Sequence, residues 1–176
     1  MSSNQEIIKK IVKNYPGLRF HEIKKETKLA NGTLQHHITQ LIKSNNLKAK
    51  YIDTIPRYYV NDIEDTNQTI LLRLRQITTS RIIKSLLKHE CQTFAQLVKF
   101  SKKSAGTVSI YKNMLLEDGI IIGGTNSCKC TKNTVATRIK YRLVDPERVR
   151  TLVVEYGKTS LKKSADNLAD IFLSLK

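Results

Sequence analysis

Thr33, His36, Thr39, Gln40 and Lys43 share one side of the segment Asn31-Gly-Thr-Leu-Gln-His-His-Ile-Thr-Gln-Leu-Ile-Lys43 when it is wound at about 100° per residue. These side chains donate and accept hydrogen bonds and end in a cation, with no carboxylate among them. Gln35 adds a further amide. Such a set suits base edges and phosphates in a duplex groove. Leu34, Ile38, Leu41 and Ile42 fall on the other side with the spacing of a buried helical stripe. Asn31 stands where its side chain can cap the first turn. The face alone fits a solvated surface helix equally well, so the flanking segments decide.

Other chemistry has less to stand on. Cys128-Lys-Cys130 could place two thiols on one side of a strand for a soft metal or for oxidation, but two ligands do not close a zinc site. The three cysteines are an odd number and suggest no disulfide framework. His36-His37 reads as one groove-facing and one half-buried ring, and no metal is expected. Gly123-Gly124 reads as a hairpin feature. No Ser/His/Asp set, carboxylate pair or phosphate-cradling loop occurs in a plausible context, so neither an enzyme nor a cofactor is expected.

The segments before and after 31–43 are those of a helix-turn-helix. Glu6 to Tyr15 is a first helix, with Ile7, Ile8, Ile11 and Val12 on one face, stopped by Pro16-Gly17. Leu18 to Thr27 is a second short helix with Phe20 and Ile23 inward, and Lys28-Leu29-Ala30 turns into the third. Asn45-Asn46 ends that helix. Leu47 to Asp53 and Arg57 to Val60 read as strands around a Thr54-Ile55-Pro56 turn, which makes a winged helix. Arg57, near the hairpin tip, is a candidate phosphate contact or an ordinary strand-end cation. The polar stretch Asn61 to Gln68 marks a boundary. Thr69 to Gln76, apolar on more than one face, is a helix expected to be buried between units.

A shift of 74 residues brings a second copy into register. Phe20 meets Phe94, Lys28 meets Lys102, Gly32 meets Gly106, Thr33 meets Thr107, Leu41 meets Leu115 and Asn45 meets Gly119. The second reading helix, Ser104 to Leu116, offers Ser104, Thr107, Ser109, Lys112 and Asn113. However, Lys112 takes an inner position, while Ile110 and Met114 point outward. Either the helix is rotated or its outer face meets protein. The second wing, Ile120 to Leu143, is longer and carries Lys129, Lys132 and Arg138 as phosphate candidates. Asp145-Pro-Glu147 then starts a helix, Gly157 is expected to break it, and Leu161, Ala165, Leu168, Phe172 and Leu175 recur at spacings of 4, 3, 4 and 3. That seam suits a homodimer interface or packing on its own domain.

Charge names the partner. Lys and Arg number 31 against 15 acidic residues, a net +16 that favours a polyanion. Residues 1–66 hold 11 basic and 7 acidic side chains; residues 67–176 hold 20 and 8. The first unit is thus expected to read sequence and the second to hold the backbone. No apolar run approaches the roughly 20 residues that span a bilayer, and the N-terminus lacks a signal peptide's regions. A cytoplasmic protein without a membrane partner is expected.

Tyr15-Pro-Gly-Leu-Arg-Phe-His-Glu-Ile, Gly32-Thr-Leu-Gln-His-His-Ile and Arg57-Tyr-Tyr resemble the first-domain signature of archaeal transcription regulators with two winged helices in tandem, of the ArsR and MarR type. Thr107-Val-Ser, Leu115 to Ile121, Lys140-Tyr-Arg-Leu and Asp145-Pro-Glu-Arg are similar to the second. Ile110-Tyr-Lys departs from that pattern, and a lone Cys91 stands where metal-sensing members carry a cysteine pair. The resemblance implies a mainly α fold with small β-hairpin wings. The expected organisation is a winged helix at 1–61, a connecting segment at 62–78, a second winged helix at 79–144 and C-terminal helices at 145–176. The expected function is sequence-specific binding of double-stranded DNA by a homodimeric regulator. Docking onto transcription proteins and non-specific chromatin binding are the alternatives.

Overall fold

Ser2 opens the first helix, α1 (Ser3–Asn14), by a reciprocal cap. Its hydroxyl accepts from the Gln5 amide, and the Gln5 side chain accepts from the Ser2 amide. The helix therefore starts before Glu6, because its polar first turn is specified by the cap and carries no apolar stripe. Ile8 and Val12 face inward, whereas Ile7 is exposed. The computed structural model describes residues 2–52, 54–125, 138–160 and 167–174. The chain divides into two compact units, Met1–Leu71 and Leu72–Lys176.

Helices α2 (Phe20–Thr27) and α3 (Asn31–Lys43) complete the helix-turn-helix. Lys28 closes α2 in the left-handed region at φ 58°. Ala30, in an extended conformation, is the residue that caps α3, and its carbonyl accepts from the Leu34 amide at 2.9 Å. This corrects the expectation for Asn31: it is the first helical residue, and no side chain caps α3. At the other end Asn45 takes φ 57°, and the amides of Asn45 and Asn46 return to the carbonyls of Ile42 and Leu41.

Strands β1 (Leu47–Ile52) and β2 (Ile55–Val60) pair antiparallel from Leu47↔Val60 to Ile52↔Ile55. Ile55 and Pro56, expected in the turn, belong to the strand. The wing is fastened to the chain between α1 and α2. The Gly17 amide donates to the Tyr58 carbonyl at 2.8 Å, and the Tyr58 amide donates to Leu18 at 3.0 Å. Gly17 sits at φ 83°, and a Cβ there would lie 2.9 Å from the Tyr59 hydroxyl oxygen, so both backbone and space call for glycine. Helix α4 (Asp65–Arg75) follows, with Ile70, Leu71, Leu72 and Leu74 all buried.

The second unit runs α5 (Ile77–Lys88), β3 (Gln92–Thr93), α6 (Phe94–Ser101), α7 (Ala105–Glu117), β4 (Ile121–Gly124) and β5 (Lys140–Leu143). Its sheet is antiparallel in the order β3-β5-β4. Helices α5, α6 and α7 each begin and end 74 residues after α1, α2 and α3. Lys102 at φ 54° stands in the place of Lys28, and Gly119 at φ 66° in that of Asn45. The fold is mainly α with small antiparallel β-sheets, as expected.

Helices α8 (Pro146–Ser160) and α9 (Asn167–Ser174) end the chain. Asp145 caps α8, its carboxylate accepting from the Arg148 amide at 2.9 Å. Gly157 does not break this helix. It lies buried within α8 against Phe172 of α9, and a Cβ there would be 2.6 Å from Phe172 Cβ. Leu168, Ile171 and Phe172 are buried in a helix that packs on α8 and α5. The expected dimer seam is corrected accordingly: Leu168 and Phe172 belong to the core of their own unit. Leu161, Ala165 and Leu175 lie outside the described residues.

Candidate nucleic-acid interface

Packing of Leu34, Ile38 and Leu41 into the first unit fixes the rotation of α3. Asn31, Thr33, Gln35, His36, Gln40 and Lys43 are exposed as a consequence, and Thr39 is half-buried. Ile42, assigned to the apolar stripe, is exposed instead, beside Lys43. The His36 and His37 rings meet edge-on at 5.6 Å. His37 is turned toward α1, with Nε2 3.5 Å from Asn4 Nδ2, so His36 is the imidazole presented outward. The first turn of α3 holds no acidic side chain, and its unpaired amides add partial positive charge at that end. The result is a rigid helix face of amides, hydroxyls, an imidazole and a cation, able to meet base edges and phosphates.

Arg57 needs correction. It is 8% exposed, and its Nη1 donates to the Gly17 carbonyl at 2.8 Å, which ties the wing to the chain between α1 and α2. A guanidinium held in this way positions the wing; it does not reach out to a phosphate. The wing lysines are also engaged. Lys48 pairs with Asp65 at 3.2 Å, and Lys50 donates to the Thr69 hydroxyl at 2.6 Å. Among the described residues, the end of the wing presents Tyr51, 65% exposed, with Thr54 and Ile55. Burial, and secondarily the neighbouring Tyr51, push the Tyr58 hydroxyl pKa up, so it stays neutral. Two groups were missed by the sequence reading. Tyr51 and Ile55 could have been found from their place beside the hairpin turn. Lys24, Lys25 and Lys28, all exposed, surround the turn into α3 and could have been found as a basic cluster at the start of the third helix.

The second unit presents a different face. Ser104 caps α7, accepting from the Thr107 amide at 3.3 Å, and the two hydroxyls lie 2.8 Å apart. Both candidates therefore serve the cap. Lys112 is half-buried with its ammonium 5.2 Å from the Tyr141 ring centre and 5.9 Å from that of Phe94. That cation–π contact accounts for a lysine at an inner position and turns it away from a groove. Ser109 is half-buried, and Asn113 and Arg138 are exposed. Ile110, 65% exposed, and the half-buried Met114 occupy the helix positions that His36 and Gln40 hold in α3. Lys129 and Lys132 lie outside the described residues. Cys91 is disulfide-bonded, which the odd cysteine count did not suggest; the other cysteines, Cys128 and Cys130, lie outside the described residues.

Three helices with a tight turn, a hairpin wing and an exposed polar third helix define the first unit as a helix-turn-helix DNA-binding domain. Residues 2–71 match the family model HTH_HVO_0163_N, an N-terminal HTH domain. The match ends at Leu71, where the first compact unit also ends. A search of the curated proteins finds no match to the chain. Among the described residues no helix is long and apolar enough to cross a membrane.

Proposed function

We propose that this chain is a transcription regulator that binds double-stranded DNA with sequence specificity through α3. The observation that carries the reading is the exposed set Thr33, His36, Gln40 and Lys43 on a helix whose other face is locked in the core. Base specificity needs such a fixed donor and acceptor array in the major groove. Lys24, Lys25 and Lys28 supply phosphate contacts around it, and the net charge of +16 supplies long-range attraction. No catalytic step, cofactor or membrane partner enters the proposal, and its setting is cytoplasmic.

The likeness to tandem ArsR- and MarR-type regulators is part of the proposal, supported by the 74-residue recurrence of helix bounds. So is a homodimer, since two reading helices about 34 Å apart would engage successive turns of one duplex. Its interface is to be sought outside Leu168 and Phe172. A second reading attaches to the second unit alone. Exposed Ile110 in place of His36 favours protein docking by α7 over base reading.

The test is selection of bound sequences from a random duplex pool by the full chain. An enriched motif supports a regulator. A pool that stays flat after repeated rounds contradicts it and leaves a non-specific chromatin protein.

A further inference from the structure

We propose that the outer face of α7 pairs with the same face of a second copy of this chain, the two helices antiparallel across a two-fold axis. The inference rests on the reading that α7 docks protein, and it supplies an interface for the homodimer. Gly106, Ile110, Asn113 and Glu117 are all exposed. They follow one another at spacings of 4, 3 and 4, which makes one stripe along the helix. Half-buried Met114 adjoins Ile110 one turn on. Lys112 is the one cation within α7, and its ammonium is held over Tyr141 and Phe94. The stripe therefore has no positive charge for a phosphate, and Glu117 would be repelled by a duplex.

Charge identifies the occupant. Two chains of net charge +16 repel each other, and a stripe without cations is where they can meet. Its two ends are complementary to each other. Lys103 stands just before the Ser104 cap and Glu117 closes the helix. Among the described residues neither side chain makes an ion pair or a hydrogen bond. The helix dipole has the same sense, positive near Lys103 and negative near Glu117. In an antiparallel pair centred on Ile110, residues equally far before and after it come together. Lys103 then meets Glu117 of the second copy, twice by symmetry, and Gly106 meets Met114 of the second copy. Among the described residues nothing lies within 4 Å of where a Gly106 Cβ would be, a notch that an adaptable methionine can fill. In α3 the places of Lys103 and Glu117 are held by Leu29 and Lys43, so this complementarity belongs to the second unit alone. One helix face covers less than the about 1,000 Å² of a stable interface. The pairing is accordingly weak, with a Kd on the order of 100 μM, and is strengthened when one duplex brings two chains together.

The experiment is sedimentation equilibrium of the full chain without DNA, from about 10 μM to about 1 mM at low salt. The wild type should pass from monomer to dimer over that range. Ile110→Glu, at an exposed position, sets two carboxylates face to face at the centre of the pair. It should weaken association by about tenfold or more with circular dichroism unchanged. Lys103→Glu and Glu117→Lys should each weaken it by about threefold to tenfold, and the double variant should restore it, because the reversed charges again meet across the axis. A dimer that Ile110→Glu leaves intact overturns the proposal while the homodimer reading stands. A double variant no better than the single ones also overturns it. A wild type that stays monomeric throughout overturns it together with the homodimer. Self-association unchanged by Ile110→Glu, with the salt slope of duplex binding altered by Glu117→Lys, places α7 on DNA and overturns both the proposal and the docking reading.

Discussion

Gly157→Ala has a sign that separates two accounts of the C-terminal helices. In an open helix interior the change stabilises by about 1 kcal/mol through propensity. Here the added Cβ would meet Phe172 Cβ at 2.6 Å, Cγ at 3.0 Å and Cδ2 at 3.3 Å. Ordinary carbon contacts lie at about 3.5–4.0 Å. The nearest atom is a Cβ, fixed to the backbone, so no rotamer change relieves the overlap. Helices α8 and α9 must part by roughly 1 Å, which loosens Leu168 and Ile171 as well. Overpacking of this kind costs about 1–3 kcal/mol and outweighs the propensity gain, for a net loss of up to about 2 kcal/mol. Amide exchange of peptides 146–160 and 167–174 reads the effect locally; both should exchange faster. Phe172→Ala is the companion, losing about 3–5 kcal/mol from an emptied core site at any protein concentration. Slower exchange in Gly157→Ala would refute the packing, as would a Phe172→Ala variant of unchanged stability that alters only self-association.

Three further outcomes are expected. Arg57→Met should destabilise the first unit by about 1–3 kcal/mol, because the Gly17 carbonyl loses a charged donor, and should leave the salt slope of DNA binding unchanged; urea unfolding and salt titration check the two halves. Burial, followed by the hydrogen bond and negative charge of Glu155, pushes the Tyr156 hydroxyl up to about 12 from the ordinary 10.0. The folded state then keeps a proton that the unfolded state releases, so this contribution to stability is intact below about pH 10 and is lost as pH rises toward about 12; absorbance titration of wild type against Tyr156→Phe checks it. Lys112→Met should leave DNA affinity within about threefold of wild type, because its ammonium already sits over Tyr141 and Phe94; an equilibrium binding isotherm at fixed salt decides.

How far the sequence could be read depended on whether the signal was local. The stripe Leu34, Ile38, Leu41 fixed the inward side of α3 and so exposed the opposite face, because helical periodicity alone sets that geometry. Asn45 and Gly119 marked helix ends through their own backbone preferences. Arg57 was not legible, since its partner is a backbone carbonyl 40 residues earlier. Gly157 read as a breaker because its propensity cost of about 1 kcal/mol is visible in sequence, whereas the close approach of Phe172 is not. The spacing of Leu168 and Phe172 specified a helix with one buried side but not which surface would cover it. Lys112 looked misplaced until the rings of Phe94 and Tyr141, brought together by the β-sheet and α6, gave its ammonium a place.

The base-reading role of α3 is tested most directly by comparing binding of wild type and the double variant His36→Ala/Gln40→Ala to a selected duplex and to a scrambled one at equal salt. Each lost base contact should weaken the selected site by about 1–3 kcal/mol, with affinity for the scrambled duplex nearly unchanged because the lysines proposed to meet phosphates remain. The ratio of the two affinities should therefore fall by about tenfold or more. Equal weakening on both duplexes, or none on either, would contradict the claim that this helix face reads sequence.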